Sequence, residues 1–331
     1  LVEPGEEADP DGPHGELDAD GEREEHADEA RVAEERLDHG DGDVAVVLET
    51  GAEAESAGTL AVLESDDRGQ GVAKEDGDRH ERVAERGGEH PHRGFETVTI
   101  AYQGSVAHRD SGGNAGVIFP GDVQWMTAAS GVVHEELHTP EFSKTGGVFE
   151  AVQLWVNLPA SHKMSAPRYQ GIVSGGIPIA DLGPKASGRV IAGAWEGVQG
   201  PAYTVTPINV FDLDLMADSR VTIPIPERHC SGVVLLHGEA EIQGQPYPGE
   251  AHIAVLSRDG DAVTLHAKTN AKLLILSGEP INEPVASYGP FVMNTREEIE
   301  QAVTDYQRGA MGVIPPKHAD GESTGSDRKS T

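Results

Sequence analysis

The sequence predicts an all-β protein made of two β-barrel-like halves in tandem, followed by a short C-terminal helix. From His90 onward, short apolar segments alternate with turn residues, which is typical of a β-sandwich or barrel. These segments form two blocks, residues 88–160 and 189–294, separated by a Pro- and Gly-rich connection over residues 161–188. One amphipathic helical pattern lies in residues 295–316. We therefore expect two β domains and a terminal helix.

The charge balance argues against a nucleic-acid partner. The 331 residues include 57 acidic and 25 basic side chains, a formal charge of −32, whereas contacts to phosphate require clustered Lys and Arg. The same charge disfavours an anionic membrane surface, and no apolar run approaches the ~20 residues of a membrane span. The first thirty residues contain no signal-peptide core. We expect neither a nucleic-acid nor a membrane partner.

Cysteine usage predicts a reducing compartment. Cys230 is the only cysteine, so no intrachain disulfide can form, and Cys-rich zinc or iron–sulfur sites are excluded. We therefore expect a cytoplasmic protein. Because the chain has 15 histidines, any metal site has to be built from histidine and carboxylate ligands.

The N-terminal quarter differs in composition from the remainder of the chain. Residues 1–89 contain 30 acidic and 8 basic residues and none of the 15 aromatic ones. Such a segment buries too little apolar surface to offset its ordering entropy, so we expect residues 1–87 to be an acidic, low-complexity, disordered segment. Its two apolar runs, at 44–48 and 60–63, are compatible with isolated strands or with short helices.

The strands of the first half are bounded by turn residues. Phe95–Tyr102 is rich in β-branched residues and ends before Gly104, and 116–119 forms a second strand closed by Pro-Gly-Asp. Phe149–Leu158 is apolar on both faces and predicts a strand buried in a sandwich. Pro159 ends it.

The second half repeats this spacing and leads into the helix. Its predicted strands lie at residues 220–226, 232–237, 251–256, 262–266 and 272–276. In the terminal segment, Thr295 and Glu298 have the spacing of a capping box. Ile299, Val303 and Tyr306 share one helical face, and Gly309 stands at the C-cap.

Two short motifs carry the ligand types that a metal requires. His90-Pro-His92 and His134-Glu-Glu136 each place two ligands at i and i+2, and such residues share a face of a strand. Three imidazoles and one carboxylate suit a divalent iron, nickel, copper or manganese ion with positions left open. The alternative is that these histidines are ordinary polar residues at strand ends.

Three segments resemble the pirin family of the cupin superfamily: HPHRGFETVTIAYQGSVAHRDSGGNAGVIFPGDVQWMTAASGVVHEELH, QLWVNLPASHKMSAPRYQ and SYGPFVMNTREEIEQAV. The resemblance covers about residues 88–316 and implies a bicupin with two jelly-roll-like barrels. It implies one metal, Fe(II) with Ni, Cu, Co or Mn as alternatives, bound in the N-terminal barrel (88–160), and a metal-free C-terminal barrel (189–294). By resemblance, the ligands are His90, His92, His134 and Glu136.

The resemblance breaks down before His90. In pirins, strands precede the HPHRGFE motif and complete the first barrel, whereas residues 1–87 show no such pattern, and the sequence begins with Leu. We hypothesise that this segment is out-of-frame or mis-started translation of GC-rich DNA. The alternative is a genuine acidic extension.

Other polar residues near the motifs have two interpretations each. Glu96 stands where many cupins place a carboxylate ligand, and it either orients the ligands or forms a structural pair. His108 and His138 lack a paired spacing, so we expect neither to bind the metal.

The resemblance implies an oxygenase of the quercetin 2,3-dioxygenase type, acting on a flavonol or a small aromatic enol together with dioxygen. The metal would stabilise the deprotonated hydroxyl oxygen as a Lewis acid, and Glu136 would accept the hydroxyl proton as the catalytic base. The competing hypothesis is a non-enzymatic, metal-dependent regulator that acts through a protein partner in transcription or metabolism. A purely structural bicupin is disfavoured by the complete ligand set.

Overall fold

The computed structural model describes residues 43–48, 61–66, 88–247, 249–250 and 252–315. Over these ranges the chain is built almost wholly of strands in two halves, with three short α-helices and one turn of 3-10 helix. The predicted all-β, two-barrel architecture with a C-terminal helix is confirmed.

The first half consists of two facing sheets. Its strands are β1 (Asp43–Leu48), β2 (Ala61–Asp66), β3 (His90–His92), β4 (Phe95–Gln103), β5 (Val106–Asp110), β6 (Ala115–Ile118), β7 (Val123–Thr127), β8 (Val132–His138), β9 (Glu150–Asn157) and β10 (Arg168–Ile172). One sheet has the order β1-β2-β9-β4-β7-β10, and the other has the order β3-β8-β5-β6. Two short helices interrupt this half, α1 (Pro140–Thr145) and α2 (Ala160–Lys163).

The second half has the same two-sheet plan. Its strands are β11 (Ile179–Asp181), β12 (Ala186–Ala192), β13 (Ala194–Trp195), β14 (Val198–Gln199), β15 (Ile208–Leu215), β16 (Arg220–Pro224), β17 (Cys230–His237), β18 (Ala240–Ile242), β19 (Gln245–Pro246), β20 (His252–Leu256), β21 (Ala262–Ala267) and β22 (Ala271–Gly278). The main sheet has the order β11-β12-β15-β22-β17-β20, and the smaller one has the order β16-β21-β18-β19. A 3-10 turn, Ser174–Gly176, precedes β11.

The stretch predicted as a connection, residues 161–188, supplies a strand to each half. β10 pairs with β7 at the edge of the first sheet, and β11 pairs with β12 at the edge of the second. Edge strands tolerate the Pro and Gly residues that suggested a linker, because an edge strand pairs on one side only.

The two halves pack sheet against sheet. Side chains at alternate positions of β4, β7 and β9 meet those of β12, β15, β17 and β22 in one apolar core, which includes Ile100, Trp125, Leu154, Val210 and Leu274. This core lies against one face of the larger sheet of the first half. The opposite face of the same sheet looks into the interior of the first barrel.

The expectation that β9 is apolar on both faces is wrong, because its side chains alternate between two different environments. Val152, Leu154 and Val156 belong to the core between the halves. Gln153 and Trp155 point to the opposite face and are half-buried. The strand alternates because its inner face lines the interior of the first barrel, where polar groups have partners.

The interior of the second half is packed with apolar side chains. Members at or below 1 % exposure include Phe211, Leu213, Ile223, Leu265 and Ile275. At roughly 1.5–3 kcal/mol for each fully buried large side chain, this cluster is a major source of stability. The absence of a metal from this half stays a prediction.

The C-terminal segment forms a hairpin and a helix. The hairpin pairs β23 (Ala286–Tyr288) with β24 (Phe291–Met293), and the helix is α3 (Arg296–Gln307). The predicted capping box between Thr295 and Glu298 is present, and Gly309, with φ +73°, follows the C-cap residue Arg308. No helix in the described part of the chain is long and apolar enough to span a bilayer.

This C-terminal segment packs against the first half. Ile299, Ala302 and Phe291 share a buried cluster with Val133 of β8. The Nη1 of Arg93 lies 2.8 Å from Asp305 of α3, and its Nε donates to the carbonyl of Ser130 at 2.7 Å. The hairpin and α3 therefore pack on the strand pair that carries the two histidine motifs.

Lys163, the last residue of α2, joins three parts of the structure. It is 1 % exposed, and its Nζ donates to the carbonyls of Gly94 and Val292 at 2.8 Å and to Oδ1 of Asn157 at 2.6 Å. The three acceptors match the three protons of an ammonium group.

Part of the acidic segment forms strands. β1 and β2 pair antiparallel, and β2 pairs with β9 at Glu64↔Gln153. The two apolar runs are therefore strands rather than short helices, and two strands do precede the HPHRGFE motif. Averaging composition over 87 residues hid these two six-residue strands. The other residues up to 87 lie outside the described ranges, so the prediction of disorder remains open there.

Candidate metal centre

The two histidine motifs lie on neighbouring strands. β3 and β8 pair antiparallel, with His90 opposite His134 and His92 opposite Val132. Because i and i+2 share a face of a strand, His90 and His92 point to the same side as His134. His92 is 2 % exposed and His134 is 1 % exposed, while His90 is half-buried.

The three imidazoles converge on one point. A nitrogen of each ring lies within 4.8 Å of a nitrogen of each other ring, and the ring centroids are 4.3 to 4.8 Å apart. The Nε2 atoms of His90 and His134 are 2.8 Å apart. Two nitrogens bound at about 2.1 Å and at right angles on one ion would be about 3 Å apart. The geometry fits ligands that share a metal.

Hydrogen bonding agrees with this interpretation. His90 Nδ1 lies 2.8 Å from the carbonyl oxygen of Gly88, which can only accept, so Nδ1 carries the proton and Nε2 is free to bind. Both ring nitrogens of His92 and the Nδ1 of His134 are buried without a well-formed hydrogen bond. Buried polar atoms without partners are rare in folded proteins, and a metal ion at the point where the three rings converge would satisfy one nitrogen of His92.

Burial keeps two of these rings neutral. Desolvation, with the neighbouring His134 and His90 rings, holds the pKa of His92 well below its usual value. Desolvation and the His90 ring lower the pKa of His134 to about 3. Only neutral imidazole binds metal, so protons compete weakly for these two nitrogens.

Glu136 follows two residues after His134 on β8, but its carboxylate is not part of the three-imidazole group. Oε1 accepts a hydrogen bond from the hydroxyl of Thr99 at 3.1 Å, and Oε2 accepts one from the amide of Gln153 at 2.8 Å. The structure therefore brings together three of the four residues expected as ligands. The role of Glu136 as the fourth ligand stays a prediction.

Sequence reasoning missed the polar partners of Glu136, Thr99 and Gln153. Thr99 of β4 and Gln153 of β9 are cross-strand partners, and Trp155 of β9 packs its ring against His92 with centroids 5.5 Å apart. The available signal was polar residues recurring at every second position of otherwise apolar strands, as in Thr97 and Thr99.

A second polar pair lies on the same side of the barrel. His108 of β5 is the cross-strand partner of Glu136, and its Nε2 lies 2.7 Å from the hydroxyl of Tyr169 on β10. The two rings stack at 5.0 Å. Gly116 leaves room for His108, because a Cβ there would lie 2.9 Å from its Nε2. His138 packs instead against Phe142 and Phe149.

Glu96 does not support the ligands. It precedes Thr97 and Thr99 by odd spacings, so its side chain points to the other face of β4. It is 1 % exposed and accepts a hydrogen bond from the hydroxyl of Thr127 at 2.6 Å. Burial raises its pKa. Of the two interpretations, the ligand-orienting one is wrong and the structural one agrees with the contacts.

Known family models match both halves of the chain. The family model described as pirin matches residues 60–156, and the model described as the pirin C-terminal cupin domain matches residues 210–312. The chain belongs to the pirin family. The first match begins at residue 60, ahead of the motif resemblance that starts at residue 88, and it takes in strand β2.

Relatives share most of this length. A Pseudomonas aeruginosa protein with the provisional name quercetin 2,3-dioxygenase is 52 % identical over 223 residues, which is 67 % of this chain and 78 % of that protein. Pirin-1 of Arabidopsis thaliana is 39 % identical over 229 residues, which is 68 % of this chain and 77 % of that protein.

Solved structures share the fold. The crystal structure of a quercetin 2,3-dioxygenase from Acinetobacter baumannii superposes with a TM-score of 0.68 at 39 % identity and covers 82 % of this chain and 96 % of that one. A bacterial pirin from Escherichia coli, determined in complex with nickel(II), gives a TM-score of 0.51 at 19 % identity. The match covers 71 % of this chain and 91 % of that one.

Proposed function

We propose that this pirin is a mononuclear metal-dependent oxygenase of the quercetin 2,3-dioxygenase type, acting on flavonol-like enols with iron as the metal. The observation that carries the proposal is the convergence of three imidazoles, two of them buried, with neither ring nitrogen of His92 making a well-formed hydrogen bond. The names of a 52 %-identical relative and of a 39 %-identical solved structure support the same reaction class.

His90, His92 and His134 would hold the metal, with Glu136 as the fourth ligand. Three neutral imidazoles and one carboxylate leave a divalent ion with net positive charge, which suits an anionic oxygen of the substrate. When bound, the metal supplies a Lewis acid that lowers the free energy of the deprotonated enol.

Glu136 is the proton acceptor in this proposal. Its carboxylate already accepts hydrogen bonds from Thr99 and Gln153, and each of its oxygens has a second lone pair. The substrate O–H bond breaks, the proton moves to Glu136, and the electron pair remains on the substrate oxygen. A positioned base of this kind contributes ~10²–10⁴-fold to rate.

The surroundings of the site favour an aromatic substrate with polar substituents. The half-buried Trp155 presents an aromatic ring beside His92 with centroids 5.5 Å apart, and the fully buried Phe95 packs against both rings, 5.1 Å from His92 and 4.5 Å from Trp155. Tyr169 and His108 add hydroxyl and imidazole groups near Glu136. Aromatic walls with few polar groups are typical of small-molecule sites.

The test is oxygen consumption by the full chain after loading with Fe(II), measured with quercetin and with a flavone that lacks the 3-hydroxyl. We expect uptake with quercetin alone, because only the enol can give its proton to Glu136. His134→Ala should abolish the uptake, whereas His162→Ala, at an exposed position of α2, should preserve it.

Absence of uptake from metal-loaded protein across a panel of flavonols and smaller aromatic enols would refute the oxygenase. That result would instead favour the regulatory hypothesis, in which the metal acts on a protein partner.

A further inference from the structure

We infer that Thr99 and Gln153 are positioning residues that hold the Glu136 carboxylate beside the three imidazoles as the fourth metal ligand. The inference rests on the ligand set of the proposed function, but not on the oxygenase reaction. It starts from the way β4 and β9 present two polar side chains to one carboxylate on the opposite sheet.

The donors and acceptors of this network have only one consistent arrangement. An ionised Glu136 can only accept, so the Thr99 hydroxyl donates to Oε1 and the Gln153 amide nitrogen donates to Oε2. The second amide proton of Gln153 points to the Thr99 oxygen at 3.1 Å. Every proton of the two side chains is thereby directed toward Glu136 or toward the other member of the pair.

Trp155 fixes which end of the Gln153 amide faces Glu136. Its Nε1 is a donor only, and it lies 3.4 Å from Oε1 of Gln153. The amide oxygen therefore faces Trp155, and the amide nitrogen faces the carboxylate. Because the Trp155 ring also packs against His92, the same chain of contacts connects a histidine ligand to Glu136.

The network can act on the metal through Glu136 by limiting the rotation of a half-buried carboxylate, so that less side-chain entropy is lost when a metal binds. Hydrogen-bond partners of ligands typically change metal affinity by about 10–100-fold when they are removed.

The experiment measures Co²⁺ binding by the full chain, through the dissociation constant and the d–d absorption spectrum. Thr99→Val and Gln153→Leu remove the donors at nearly constant volume, and Thr99→Ser keeps the hydroxyl. We expect the first two to weaken Co²⁺ binding by about 10–100-fold and to change the spectrum, and we expect Thr99→Ser to retain both wild-type properties.

Gln103→Leu is the matched control. Gln103 donates to Glu150 at 2.8 Å across the same two strands, but at their exposed end. The Gln103→Leu substitution removes a Gln–Glu hydrogen bond of the same length outside the metal site. The Co²⁺ affinity and the absorption spectrum should therefore stay unchanged.

A double-mutant cycle separates positioning from general loosening of the barrel. In a Glu136→Ala background, Gln153→Leu should cause no further loss of Co²⁺ affinity, because it acts only through Glu136. An additional loss equal to that in the wild-type background would overturn the inference. A folded Thr99→Val protein with the Co²⁺ affinity and spectrum of the wild type would also overturn it. Absence of Co²⁺ binding by the wild-type chain would do the same. Failure of flavonol-dependent oxygen uptake, with these binding effects present, would refute the proposed reaction and leave the inference standing.

Discussion

His90 and His134 are directly opposed in the antiparallel register of β3 and β8, and their Nε2 atoms lie 2.8 Å apart. The pair is therefore set by backbone register. A slip of one residue in β3 would turn both His90 and His92 away from His134, because neighbouring side chains of a strand point to opposite faces. The hydrogen bond from the Gly94 amide to the carbonyl of Ala129 holds the end of β3 in place.

The first prediction is one metal per chain, bound in the first half. Replacing His90 and His92 together by Ala removes two of the three imidazoles that converge there, and one imidazole is too few to retain a transition metal. Elemental analysis should give about one metal for the wild type and none for the double variant. Two metals per wild-type chain, or a metal that survives the double replacement, would contradict the prediction.

A second prediction separates the ligand role of Glu136 from its role as a base. Glu136→Gln keeps an oxygen donor but removes the charge and the proton acceptor. Metal content should fall only in part, while flavonol-dependent oxygen uptake per bound metal should fall by about 10²-fold or more.

Glu150→Gln serves as the control, because Glu150 lies on β9 and is paired with Gln103 and His237, outside the metal site. It should leave both quantities unchanged. Equal activity per bound metal in Glu136→Gln and wild type would remove Glu136 from the proton-transfer step.

The third prediction concerns Lys163. Lys163→Met keeps the length of the side chain but removes the buried donor to the carbonyls of Gly94 and Val292, whereas Asn157 Oδ1 still accepts from the Leu158 amide. At about 1–3 kcal/mol for each unsatisfied group, the free energy of unfolding should fall by about 2 kcal/mol or more. Urea denaturation followed by tryptophan fluorescence measures it.

Lys185→Met is the comparison, since Lys185 is exposed and makes a single 3.3 Å contact with the carbonyl of Ala217. Its denaturation midpoint should match the wild type. If the Lys163→Met midpoint also matches, the three hydrogen bonds do not contribute net stability.

The fourth prediction is an acid-dependent weakening of the contact between α3 and the first half. The hydrogen bond from Arg93 lowers the pKa of Asp305. A carboxyl group whose pKa is lower in the folded state than in the unfolded state, where it is about 3.9, stabilises the fold above that value. This contribution is lost as the pH falls through the folded-state pKa.

Below about pH 4, unfolding curves of Asp305→Asn should therefore depend less steeply on pH than those of the wild type. At neutral pH the variant should be less stable, because Arg93 is only 4 % exposed and would lose its partner. Parallel pH profiles for the two proteins would show that Arg93 does not require the Asp305 charge.

Sequence patterns predicted what depends on local spacing. The capping box at Thr295, the two-half β architecture and the pairing of His90 with His92 on one face all follow from periodicity within one element. What they did not predict depends on contacts between distant elements. Thr99 and Gln153 are 54 residues apart along the chain, and neither has a ligand-type side chain that would have singled it out.

The same reason explains the C-terminal segment. Nothing in the spacing around Asp305 indicates that its partner is Arg93, which lies 212 residues earlier. The two interpretations of Glu96 stayed open for a related reason, because the motif alone did not show which face of β4 looks into the barrel.

The last prediction tests the two strands inside the acidic segment. β2 pairs with β9 at Gln153, the residue that donates to Glu136. A chain that begins at residue 88 lacks β1 and β2 and leaves the outer edge of β9 with unpaired backbone groups. Compared with the full chain, it should melt at a lower temperature, by about 2–4 °C for each kcal/mol lost, and bind Co²⁺ more weakly. A chain that begins at residue 43 keeps both strands and should match the full chain in both measurements. If the chain that starts at residue 88 is as stable and binds Co²⁺ as tightly as the full chain, β2 neither supports Gln153 nor stabilises the sheet.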